Sequence, residues 1–62
     1  MIRFKQGSDT LEVWALTPPI PASNGGREIA TRIILERRGA PVAFDLNREQ
    51  VERVIAELQA SR

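Results

Sequence analysis

The chain contains no cysteine, no histidine and no tyrosine. Without cysteine there are no disulfides, and without histidine as well the commonest transition-metal ligands are gone. No metal and no cofactor is therefore expected. Nucleophilic catalysis has few candidates: Lys5 is the sole lysine, and Ser8, Ser23 and Ser61 have no activating base. Carboxylates such as Asp9 and Asp45 are better explained by turns, cross-strand pairs and a solvated helix face. The inventory points away from an enzyme.

An excess of charge is lacking too. Nine basic residues face eight acidic ones for a net charge of +1, which is no electrostatic footprint for nucleic acid or an anionic membrane. No apolar run approaches membrane length, and no basic stretch followed by an apolar one opens the chain. A cytoplasmic protein is expected. The hydrophobic fraction of 42% is enough to fold. At 62 residues the chain forms one domain, 1–62, and a domain of that size buries only about 60% of its unfolded surface. Without disulfides or metal, a core that thin needs good packing, oligomerisation or a partner.

What is present reads mostly as strand. "IRFK" alternates apolar and basic residues, "QGSDT" is turn chemistry, and "LEVWALT" is rich in β-formers. The two strands make a hairpin. The Pro/Gly-rich stretch 18–26, "PPIPASNGG", separates this hairpin from the rest: its prolines remove ladder donors and hold Pro18 to Pro21 extended, and Asn24, Gly25 and Gly26 supply a turn. "SNGGRE" lacks the Gly-Lys-Ser/Thr ending of a phosphate loop, and "PPIP" is a stiff connector more readily than a polyproline ligand.

Residues 28–37 fit either period. As a helix, Ile29, Ala30, Ile33 and Ile34 share a stripe and Gly39 sits at the C-cap, giving ββαβα as the alternative fold. As a strand, Ile29, Thr31, Ile33 and Leu35 share a face. Register favours the strand: a two-residue Arg38-Gly39 loop sets Leu35 opposite Val42, Ile33 opposite Phe44, Thr31 opposite Leu46 and Arg32 opposite Asp45. A type I′ turn there places Arg38 at positive φ, which a type I turn with a glycine bulge avoids. The end is a helix: Asn47 caps it, Gln50 completes a capping box, and Leu46 and Val51 form a staple. Val51, Val54, Ile55 and Leu58 recur as one stripe, and Glu49 is spaced to pair with Arg53. This ending is similar to those of many short bacterial and phage proteins and transfers no function.

The expected fold is α+β: a small antiparallel sheet, ββββα, with the C-terminal helix packed on one face. Ile2, Phe4, Ile29, Ile33, Leu35, Val42 and Phe44 meet the helix in this reading, while Ala30, Ile34 and Ala43 point away. Strand two carries apolar groups on both sides, Leu11, Val13 and Ala15 against Trp14 and Leu16, and register decides which set turns outward. With one helix to cover two faces, apolar surface is left over, and such surface marks an interface. The expected function is a non-catalytic protein-interaction module, an accessory subunit or phage-type inhibitor, that self-associates as a homodimer or docks on a larger protein. Its contacts are Trp14, Leu16, Ile20 and Ile34, with Arg3 and Arg32 at the rim. The alternative is nucleic-acid binding on the open face through Arg3, Lys5, Trp14 and Arg32.

Overall fold

The computed structural model describes residues 1–22 and 26–62. Its elements are β1 (Ile2–Gln6), β2 (Asp9–Ile20), β3 (Ile29–Arg37), β4 (Ala40–Asn47) and α1 (Arg48–Ala60). The strands form one antiparallel sheet in the order β1-β2-β3-β4, and α1 follows at the C-terminal end. The architecture is ββββα, and residues 29–37 are strand. No helix among the described residues is long and apolar enough to cross a membrane.

Two tight turns set the register. Gln6 pairs with Asp9, so the first hairpin loop is Gly7-Ser8 alone, shorter than the "QGSDT" turn expected. Gly7 has φ 61°, as the first central residue of a type II′ turn requires. The second loop is Arg38-Gly39, with Arg37 opposite Ala40. Both of its residues have positive φ, 52° and 79°, so the turn is of the I′ kind and Arg38 does occupy the left-handed region. All four cross-strand pairs expected from the sequence are present: Leu35–Val42, Ile33–Phe44, Thr31–Leu46 and Arg32–Asp45.

The prolines do not end β2. It continues through Pro18 and Pro19 to Ile20, which pairs with Ile29, so the loop expected at 18–26 starts later than the composition implied. Between Ala15 and Ile20 the β2–β3 ladder is interrupted, consistent with the donors that proline lacks. The turn expected around Asn24 and Gly25 lies outside the described residues. On the other side of β3 the register shifts between Ile29 and Thr31, where Ala30 is the extra residue. That bulge sets Ile29 opposite Asn47, out of the row that runs from Leu35 to Thr31, because one inserted residue changes the alternation.

Local chemistry starts α1 where β4 stops. The Asn47 side chain accepts the Gln50 backbone N–H at 2.9 Å, and the Gln50 side chain accepts the Asn47 N–H at 2.9 Å. Leu46 and Val51 on either side of the cap are half-buried. Glu49 pairs with Arg27, which ties the lead-in to β3 to the first helical turn. The helix packs most closely on β3 and β4, and its Val51 and Ile55 share a cleft with Ala15 and Leu16 near the end of β2. A helix is about 10 Å across, whereas four strands at ~4.8 Å spacing are roughly twice as wide. Half the sheet remains open. Among the described residues no side chain is buried.

Candidate protein interface

The register sorts the sheet into two unlike faces. Ile2–Val13–Ile33–Phe44 forms one cross-strand row, and Phe4–Leu11–Leu35–Val42 forms the next, both on the same side. Phe4 is 60% exposed, and Ile2, Val42 and Phe44 each exceed 50%. The central residues Leu11, Val13, Ile33 and Leu35 are half-buried between these outer neighbours. No charge interrupts the two rows. They end at the hairpin tips, where Arg37 Nε lies 3.3 Å from Asp9 Oδ2.

The other face is polar and carries two internal ion pairs. Arg3 donates to Glu12 Oε2 from Nη2 at 2.6 Å and from Nε at 3.0 Å, and the Trp14 indole N–H donates to Glu12 Oε1 at 2.9 Å. Arg32 grips Asp45 with two hydrogen bonds of 2.7 and 3.2 Å, the bidentate geometry a guanidinium favours. These contacts shift the groups that make them. The Trp14 hydrogen bond, then that of Arg3, holds the Glu12 carboxyl below its ordinary range. Arg32 does the same to Asp45, and Asp45 raises Arg32 in return.

Those shifts have a sign in stability. Both carboxyls titrate lower in the folded chain, so their contribution is complete above the unfolded values and is lost as pH falls through the folded ones. The urea midpoint is expected to hold above about pH 5 and to fall below about pH 4. Replacing Glu12 by glutamine together with Asp45→Asn should make that fall shallower. An equally steep acid limb in the double variant would assign it to other carboxylates.

The sequence-derived contact residues separate into three places. Arg3, Trp14, Arg32 and Ile34 share the polar face, along with Lys5. Trp14 stands opposite Arg32 and is 41% exposed, so the ring turns outward beside a cation. Ile34 sits in a shallow depression of about 260 Å³ among Arg3, Lys5, Glu12 and Glu36. Leu16 lies elsewhere, with Ala15, Val51 and Ile55 in a cleft of about 300 Å³ beside the helix. Ile20 is at the far end of the sheet, opposite Ile29. For the nucleic-acid alternative, two of the three cations are already engaged by Glu12 and Asp45.

Ile2, Phe4, Val42 and Phe44, expected to meet the helix, instead stand open and form the broad apolar surface of that side. The signal for this lay in dimensions: one stripe of four apolar residues on α1 is too narrow for a four-stranded sheet. Val54, Ile55 and Leu58 of that stripe are themselves exposed.

Fold and faces together define a small α+β protein with a two-faced antiparallel sheet. Comparison of the chain with family models, curated proteins and solved structures finds no match.

Proposed function

We propose that this chain is a non-catalytic protein-interaction module that docks through the apolar face of its sheet. The observation behind this reading is the asymmetry of the faces: one carries the Arg3–Glu12 and Arg32–Asp45 ion pairs, the other has two uninterrupted apolar rows whose outer residues stand more than half exposed. At roughly 200 Å² per large side chain, these rows present on the order of 600 Å². Covering that area yields a gross ~15 kcal/mol at ~25 cal/mol per Å², against ~4–15 kcal/mol for the freedom lost on association. Water is a poor permanent neighbour for such a surface. Another polypeptide, itself apolar at the contact, is the fitting cover.

The absence of cysteine supplies a test. Val42→Cys puts a single thiol on the apolar face, and Ala43→Cys puts one on the polar face. In extract of cells that express the chain, the thiol at 42 should alkylate at least about tenfold more slowly than the one at 43, the protection given by ~1.4 kcal/mol of cover. Equal rates at the two positions would remove this function.

A further inference from the structure

Resting on that docking reading, we infer that the occupant of the apolar face is a second copy of this chain, the two sheets stacking face to face about a two-fold axis. Three observations support the second copy. The two rows carry no charge, so the surface needs no partner of opposite sign and is complementary to itself, as an isologous contact demands. The area is sufficient: two such faces bury about 1,200 Å², within the range of stable interfaces and above the ~1,000 Å² that separates them from casual contacts. The Arg37–Asp9 pair at the hairpin tips then lies at the margin as a polar rim.

The edges of the sheet direct the copies to stack. β1 is five residues long and carries Arg3 and Lys5, and β4 carries Pro41. Short edges, charged edges and proline all discourage strand addition. Face-to-face contact is what remains, with sheets about 10 Å apart and their strands close to aligned. In that arrangement the apolar rows, which are open to water in one chain, become the middle layer of a sandwich. No described side chain is buried within the single chain, so the core of the folded protein is the interface itself. Folding and pairing are one equilibrium, and stability depends on concentration.

Sedimentation and thermal melting of the purified full chain between about 1 and 100 μM test this. The expected results are a two-chain mass at the upper end and a melting midpoint that rises by about 5 °C per tenfold increase. Phe44→Lys should return the mass to one chain, and Ala43→Lys, one residue earlier on the polar face, should leave the pair intact. Because Phe44→Lys could simply unfold, the dilution series on the unaltered chain decides independently. A single-chain mass with a constant midpoint overturns the inference, as does a pair that survives Phe44→Lys and is lost in Ala43→Lys. The thiol assay separates the two levels. Protection at position 42 in extract but not in the purified chain retains the docking module and removes the second copy, and protection in neither removes both.

Discussion

Replacing Ile33 by alanine is expected to cost about 2–4 kcal/mol of unfolding free energy, and replacing its neighbour Ile34 by alanine only about 1. The chemistry removed is identical and both residues lie mid-strand in β3, half-buried. The difference lies in direction. Ile33 stands between Val13 and Phe44 on the apolar face, where the missing methyls leave a void once that face is covered. Ile34 stands between Glu12 and Ala43 on the polar face, where water refills the space. Urea unfolding of both variants at one protein concentration is the measurement. Equal losses would mean that the apolar face stays wet in solution, because an uncovered Ile33 has no more to lose than Ile34.

The second large effect belongs to the turn between β3 and β4. Gly39 has φ 79°, a region that β-branched residues essentially avoid. Gly39→Val should destabilise the chain by about 1–3 kcal/mol through backbone strain alone, since there is open space around a side chain at that position. The turn also sets which residue faces which. A slip of one residue there would move Val42 and Phe44 to the polar side and Ala43 and Asp45 to the apolar one. Gly39→Ala, read beside Gly39→Val, isolates the branching: a valine variant no worse than alanine would show that the turn relaxes to another type.

Much of this architecture is legible in the chain. The Arg32–Asp45 pair and the three pairs on the opposite face, Thr31–Leu46, Ile33–Phe44 and Leu35–Val42, follow from a two-residue loop and the alternation of β3 and β4, because side-chain direction in a strand has only two values. The capping box at Asn47 is legible for a similar reason, since its partners lie three residues apart. Proline was the misleading signal. Missing N–H groups at Pro18 and Pro19 suggested the end of β2, yet a strand whose ladder is locally interrupted can continue in extended form and resume pairing at Ile20. Glu49 shows the other limit: spacing offered Arg53, and the fold brought up Arg27 from far away in sequence.

Periodicity and turn chemistry alone determined the element order, the β3–β4 register and the start of the helix, because each depends on residues close in the chain or linked by one short turn. The tertiary structure decided the rest. It placed Trp14 on the polar face by pairing Arg3 with Glu12, and it laid α1 against β3, β4 and the end of β2 instead of the whole sheet. Hydrophobic pattern says which side of an element seeks cover. How much cover another element supplies depends on widths and crossing positions that arise only when the pieces meet.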